Sequence, residues 1–234
     1  MSLHNIYPLD RKKGNNMEPS AESKTKIKLC GLSRECDIEA ANELLPEYIG
    51  FVFAKKSIRY VSPEQAAVLR KQLSDQILAV GVFVNETPEN VAKLLADGVI
   101  DIAQLHGSED EAYIETLRAL TDKPIIKAFS VKEEQDIRRA AESRADLVLL
   151  DAGSGGTGTA FDWGLLAGME RPYFLAGGLD ASTVGEAVRK WRPYAVDVSS
   201  GIETDVYKDV EKMRTFVRAV RAENRRGCGE NHDK

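Results

Sequence analysis

Eight short apolar runs recur along the chain at nearly constant spacing, and this regularity constrains the fold more than any other feature. Each run is rich in Val, Ile, Leu, Phe or Tyr. The runs occupy residues 26–30, 48–53, 77–84, 101–106, 124–129, 146–151, 172–176 and 194–199. Their starts lie roughly 22 to 29 residues apart, which is the length of a strand, a helix and two short connections. We interpret them as eight β-strands separated by helices.

The segments between the runs carry helix signals. Apolar residues recur every three or four positions, as in Val210, Met213 and Val217. Ser62-Pro63 and Thr87-Pro88 place a capping residue before a proline, as helix starts commonly do. The strands are continuously apolar, which indicates a parallel sheet under helices. Eight strands favour a single-domain α/β fold, a (β/α)8 TIM barrel, over an open doubly wound sheet, which more often has about five or six.

The predicted barrel is one domain that spans residues 24–222, and the chain length of 234 residues is close to the roughly 250 that such barrels use. Residues 1–23 have no apolar segment after their basic residues, so they are predicted to be a disordered extension and not a secretory signal. Residues 223–234 are similarly polar and are predicted to be a disordered tail.

The composition excludes several classes of function. A net charge of −5 provides no general attraction to nucleic acid or to anionic membranes. No apolar run approaches the ~20 residues of a membrane span. The three cysteines fit neither a disulfide framework nor a metal-ligand pattern, which favours a reduced, cytoplasmic compartment. No second apolar face is evident, so we expect a monomer.

In barrels of this kind the active site forms at the carboxyl ends of the strands. Glycines and polar residues at those ends are therefore the candidates. They are Cys30, Arg59, His106, Asp151, Gly177, Gly178, Ser200 and Gly201.

Two glycine-bearing turns follow the seventh and eighth strands. Gly177-Gly178 allows a ligand to approach the backbone closely, and Ser200-Gly201 offers further backbone N–H donors. Turns after these two strands are the usual phosphate site of the fold. The alternative is that the glycines only satisfy tight turns, but their occurrence at both strands favours phosphate binding.

Cys30 and Asp151 are the candidates for proton transfer. A free cysteine is commonly a small buried apolar residue, yet a thiolate at the mouth can act as a nucleophile or a base. Asp151 ends an apolar strand, and a carboxylate beside a dry interior suits a general acid. Its alternative role is a cap or an ion pair for the glycine-rich loop that follows it.

Three further candidates have two interpretations each. Arg59 is either a solvated loop cation or a fork that holds a substrate carboxylate. His106 is either a structural hydrogen-bonding residue or a catalytic one. Asp197 lies within the eighth strand, and it either points into the barrel mouth or forms a structural ion pair.

The sequence resembles the phosphoribosylanthranilate isomerase family from residue 26 to about residue 220. The pieces that carry the resemblance are KLCGL (28–32), SIRYV (57–61), VGVFVN (80–85), QLHG (104–107), LD (150–151), GGTG (155–158), FDW (161–163), LAGGL (175–179) and DVSSGIE (197–203). One departure is Tyr207, which stands near a place where such sequences often have glycine and could alter the entry to the last helix.

The resemblance implies an Amadori rearrangement of N-(5-phosphoribosyl)anthranilate in tryptophan biosynthesis, without metal or organic cofactor. On that pattern Asp151 is the general acid and Cys30 the general base. Arg59 faces the anthranilate carboxylate. The loop around Gly156 helps the two glycine turns to hold the phosphate.

Two other functions compete with this interpretation. The related histidine-pathway isomerase performs the same rearrangement, but it carries an aspartate where this chain has Cys30, and it shows a half-barrel repeat. A catalytically inactive phosphosugar-binding barrel would bind product analogues without turnover; the presence of both Cys30 and Asp151 argues against it.

Overall fold

Eight parallel strands form a closed barrel. The computed structural model describes residues 24–151 and 163–229. The strands are β1 (Lys26–Cys30), β2 (Tyr48–Val52), β3 (Leu78–Phe83), β4 (Ile102–Leu105), β5 (Ile125–Ser130), β6 (Leu147–Asp151), β7 (Tyr173–Ala176) and β8 (Ala195–Val198). Each strand pairs with the next, and β8 pairs with β1. The predicted parallel barrel of eight strands is confirmed.

Helices follow the strands and cover the outside of the barrel. In the described part of the chain they are α1 (Glu35–Leu44), α2 (Pro63–Gln72), α3 (Pro88–Ala96), α4 (Glu111–Leu120), α5 (Glu134–Glu142), α6 (Val184–Trp191) and α7 (Val210–Gly229). Ser62 and Thr87 cap α2 and α3 as predicted, because each hydroxyl accepts a hydrogen bond from a first-turn N–H. A short 3₁₀ helix, Trp163–Gly168, precedes β7. None of these helices is long and apolar enough to cross a membrane.

Side chains along each strand point alternately into and out of the barrel. Inside, Val80, Leu149 and Phe174 belong to a buried cluster made of strand residues alone. Outside, Ile49 and Leu150 pack in a larger cluster that includes the inner faces of the helices. Complete burial of one such side chain stabilises the fold by about 1.5–3 kcal/mol. Both faces of the sheet are therefore apolar, which explains the continuous runs in the sequence.

The last helix differs from the sequence prediction. It continues past residue 222, where the barrel was expected to end and a disordered tail to begin, as far as Gly229. Asn224 gives the physical reason. Its side-chain amide accepts a hydrogen bond from the N–H of Thr25 at 3.0 Å and donates one to the Thr25 carbonyl at 2.9 Å. These bonds attach the helix to the residue that precedes β1.

A small hairpin separates β8 from α7. Its strands are β9 (Glu203–Thr204) and β10 (Tyr207–Lys208), and the turn between them is Asp205 and Val206, with φ of 49° and 66°. Two left-handed residues are what a tight hairpin turn requires. Val206 is β-branched, so this conformation strains it. Tyr207, the departure noted in the sequence, lies in β10 of this hairpin.

We expect Val206→Gly to raise the free energy of unfolding by about 1 kcal/mol, because glycine adopts a positive φ without the steric cost that valine bears. Denaturant unfolding of the variant and the parent measures the difference. Thr204→Gly, in the paired part of the same hairpin, is the matched control and should lower stability. A Val206→Gly protein less stable than its parent would contradict this account of the turn.

Candidate active site

The alternation of strand side chains brings three of the predicted residues inside the barrel. Cys30 of β1, Asp151 of β6 and Asp197 of β8 face inward, because their immediate neighbours on the strands pack in the outer core. Cys30 and Asp151 are the last residues of their strands and therefore lie at the carboxyl end of the barrel. The predicted location of the site is the mouth that these ends surround.

A glycine on the neighbouring strand makes room for the Cys30 thiol. Cys30 is buried, with 7% of its surface exposed, and packs with Val52 and Val82. Gly50 of β2 is its register partner. A Cβ atom at position 50 would lie 2.6 Å from the Cys30 Sγ, far inside van der Waals contact. The absence of a side chain at position 50 therefore determines where the sulfur can sit.

The electrostatic environment of the thiol contains opposing influences. Burial raises the pKa of Cys30, while the nearby ammonium groups of Lys28 and Lys208 lower it; Asp197 adds a further upward influence. The net result is a pKa above that of an ordinary cysteine. The thiol is therefore the resting form, and the thiolate depends on the cations around it.

Asp151 lies beside His106. The His106 Nε2 is 3.5 Å from the Asp151 Oδ2, and the Asp151 side chain is 26% exposed at the mouth. On the other edge of the ring, the Gln104 Nε2 is 2.8 Å from the His106 Nδ1. With the Gln104 amide as donor, the neutral imidazole carries its proton on Nε2 and points it at the carboxylate. The structure therefore places His106 beside the predicted general acid at the mouth.

Arg59 is held by a carboxylate that the sequence analysis did not single out. Its Nε and Nη2 donate to Glu203 at 2.6 and 2.7 Å, a bidentate ion pair. Glu203 also accepts a hydrogen bond from Lys208, whose Nζ donates to the Ser199 carbonyl at 2.9 Å. Gly31 leaves space for this cluster, since a Cβ there would lie 2.6 Å from the Arg59 Cδ.

A second buried ion pair fixes the far side of the mouth. Lys127 donates to Glu109 at 3.0 Å and to the carbonyl of Gly107 at 2.8 Å. Glu109 also accepts from the backbone N–H groups of Asn85 and Gly107. The carboxyl ends of β3, β4 and β5 are joined through these contacts, and the loop that carries His106 is held in place. Neither residue stands out in the sequence.

The two glycine turns come together at the mouth. Gly177 and Gly178 have φ of 94° and 66°, which glycine adopts without strain. A Cβ at Gly201 would lie 2.0 Å from the Leu179 carbonyl oxygen, so the turn after β8 packs directly on the turn after β7. Ser200 is exposed beside it. Gly156 lies outside the described residues.

Asp197 combines the two roles that the sequence left open. It points into the barrel and also forms a buried ion pair, with its Oδ2 2.9 Å from the Lys28 Nζ. Lys28 is completely buried. In the sequence Lys28 belongs to the first apolar run, and a lysine inside such a run is a signal that could have singled it out.

A closed (β/α)8 barrel with ionisable side chains at the carboxyl ends of its strands defines a barrel enzyme. The sequence pattern of the family described as N-(5'phosphoribosyl)anthranilate (PRA) isomerase matches residues 27–219. The chain belongs to this family. A relative from Acetivibrio thermocellus is 47% identical over 211 residues, covering 84% of this chain and 96% of the relative. One from Thermoanaerobacter sp. (strain X514) is 45% identical over 202 residues, covering 84% and 98%.

Solved structures agree with this assignment. The phosphoribosyl anthranilate isomerase of Thermotoga maritima is 34% identical and superposes with a TM-score of 0.76, over 85% of this chain and 99% of that one. A phosphoribosyl anthranilate isomerase in complex with reduced 1-(o-carboxyphenylamino)-1-deoxyribulose 5-phosphate is 33% identical, with a TM-score of 0.75 over the same shares.

We expect Gly50→Ala to displace the Cys30 sulfur and to lower kcat at least about tenfold while the barrel remains folded, because small misplacements of a reacting group are costly. Steady-state kinetics and circular dichroism measure the two effects. Gly185→Ala is the matched control, since a Cβ there meets nothing closer than 3.5 Å. Equal kcat values for Gly50→Ala and the parent would show that the space at position 50 is not needed.

Proposed function

We propose that this protein catalyses the Amadori rearrangement of N-(5-phosphoribosyl)anthranilate to 1-(2-carboxyphenylamino)-1-deoxyribulose 5-phosphate in tryptophan biosynthesis, by general acid–base catalysis. The observation that carries the proposal is the pair of inward-facing groups, Cys30 on β1 and Asp151 on β6, which approach the mouth from nearly opposite sides. The crystallised complex of a family member with a reduced form of the product supports the substrate.

Asp151 is the proposed general acid for ring opening. A proton passes from its carboxyl group to the furanose ring oxygen while the bond from that oxygen to C1′ breaks. The anthranilate nitrogen supplies the electron pair that forms the C1′=N bond of the Schiff base. The carboxylate that results lies beside the His106 imidazole, 3.5 Å away, which stabilises its charge.

Cys30 is the proposed general base for the second step. The thiolate removes the C2′ proton, and the electrons of that bond form the enolamine as the C1′=N π electrons return to nitrogen. The enolamine then gains a proton at C1′ and loses the proton of its C2′ hydroxyl, which gives the ketone. No atom is gained or lost overall, as an isomerisation requires.

Three groups of residues are proposed to hold the substrate. The turns at Gly177-Gly178 and Ser200-Gly201 offer backbone N–H groups to the phosphate, with Gly156 as a further contact. Glu203 occupies the Nε and Nη2 of Arg59, so the anthranilate carboxylate is expected at its Nη1. Asp197 is proposed to accept a hydrogen bond from a substrate hydroxyl; its Oδ1 is buried, and no hydrogen bond is made to it within the described residues.

We expect Cys30→Ala and Asp151→Asn each to lower kcat by about 10²–10⁴-fold, the usual contribution of one acid or base. The fluorescence of freshly generated phosphoribosylanthranilate reports its consumption. Cys36→Ala, which removes an exposed thiol on α1, is the control and should retain full turnover. Loss of turnover with product-analogue binding retained supports the assignment. Absence of turnover in the folded parent would overturn the function, and turnover in Cys30→Ala would reassign the base.

We expect kcat/KM to rise as the pH increases into the alkaline range. The thiolate is the reactive form of Cys30, and burial raises the pKa of this thiol above its ordinary value. Activity that depends on deprotonation therefore increases with pH, with a midpoint above the roughly 8.5 of an unperturbed cysteine. A pH–rate profile in Cys30→Ser, whose hydroxyl does not ionise in this range, should lack this limb. An ascending limb shared by both proteins would assign it to another group.

We also propose a monomer located in the cytoplasm. The exposed large apolar residues of the described segments, such as Leu45, Val68 and Leu120, lie on different elements and do not suggest one docking face. Cys36 is exposed as a free thiol, which suits a reducing compartment. Sedimentation equilibrium of the purified protein tests the first point, and a concentration-dependent mass of twice the monomer would overturn it.

A further inference from the structure

Lys28 is a fully buried lysine in the wall of the barrel. A lysine is seldom buried completely, because removal of its ammonium group from water is costly unless the charge is paired. Its position on β1 faces inward, in the same direction as Cys30 two residues later. The proposed reaction uses Cys30 as its base and gives Lys28 no role.

Asp197 holds the Lys28 ammonium in place. The two residues are register partners across the β1–β8 pair, and the Lys28 Nζ lies 2.9 Å from the Asp197 Oδ2. Burial opposes the charge on Lys28, but Asp197 and Cys30 together outweigh it and raise the Lys28 pKa. Lys28 is therefore a permanent cation inside the barrel at physiological pH.

A contribution to stability does not account for the presence of this buried ion pair. A buried ion pair commonly contributes no more than two well-packed apolar residues would, because both charges lose their hydration. The neighbouring inward positions are apolar, as in Tyr48 and Phe174, so an apolar pair would suit this layer. A cation in this place must therefore serve something other than packing.

The charged groups around the Cys30 sulfur show what the cation does. Lys28 lies beneath the thiol on the same strand, and it is the strongest of the groups that favour the thiolate. Lys208, from the hairpin after β8, acts in the same direction, and Asp197 acts against it. A negative charge on Cys30 also contributes to the raised pKa of Arg59. Lys208 and Arg59 share Glu203 as a partner, whereas Lys28 is the cation nearest the barrel interior.

We propose that Lys28 is a positioning residue for catalysis, whose buried ammonium, held by Asp197, is the counter-ion that allows Cys30 to carry a negative charge inside the barrel. This role rests on the proposed function of Cys30 as the base. When the thiolate takes the C2′ proton, its charge disappears and Lys28 remains paired with Asp197. The ion pair thus supplies a fixed field and does not itself exchange a proton with the substrate.

The direct test measures the ionisation of Cys30 without using the reaction. In a Cys36→Ser/Cys228→Ser background, cysteine labelled with ¹³C at Cβ reports one thiol, and its chemical shift is followed as a function of pH. Lys28→Met should move the Cys30 midpoint upward by at least about one pH unit, because it removes the cation with the largest favourable influence on the thiolate. Asp197→Asn should move it downward, because it removes the opposing anion.

Two further variants keep the test independent of folding and of nonspecific charge effects. Lys28→Met leaves Asp197 buried without its partner, so the double variant Lys28→Met/Asp197→Asn is made as well; it contains no unpaired charge. Its midpoint should lie above that of the parent and below that of Lys28→Met. Lys26→Met removes a cation from the same strand, two residues further from the mouth, and should leave the Cys30 midpoint unchanged.

Kinetics then connect the ionisation to catalysis. At neutral pH, Lys28→Met and the double variant should lose at least about tenfold in kcat, and higher pH should restore part of this loss. Unchanged Cys30 midpoints in both Lys28 variants would overturn the role of Lys28, even where Cys30→Ala abolishes turnover. Shifted midpoints together with full turnover in Cys30→Ala would instead overturn the proposed function and leave the coupling between Lys28 and Cys30 established.

Discussion

The pairing of β1 with β8 closes the barrel, and the charged residues at this seam shape the site above it. Register along the seam places Lys28 opposite Asp197, where the two form an ion pair inside a largely apolar interior. Because the pair is buried, it acts through a medium that screens charge weakly. The state of Cys30, two residues further along β1, therefore depends on how the sheet closes.

Glycines at the mouth leave space for atoms that approach the backbone closely. Gly50 leaves space for the Cys30 sulfur, Gly31 for the Arg59 side chain, and Gly201 for the carbonyl of Leu179. In each case a single methyl group would collide with an atom of the site. The glycines thus set distances between groups that belong to different strands, which no flexible side chain could do as reproducibly.

Cations and carboxylates in the mouth occur as clusters and seldom as isolated groups. Glu203 holds Arg59 and Lys208, and Glu109 holds Lys127. The charged groups lose part of their hydration when such pairs form, but the pairs keep long side chains in one geometry. For a substrate with a carboxylate and a phosphate, prearranged cations and N–H donors reduce the entropy lost on binding.

The sequence by itself determined the barrel, since eight apolar runs with helical segments between them leave few other folds, and it placed Cys30, Asp151 and the glycine turns at strand ends. It could not reveal partners that lie far apart along the chain. The contacts of Arg59 with Glu203, of Lys28 with Asp197, and of Asn224 with Thr25 each join distant residues, and only strand register and closure bring them together. Periodicity identifies which face a residue occupies, whereas tertiary structure decides which residue stands opposite it.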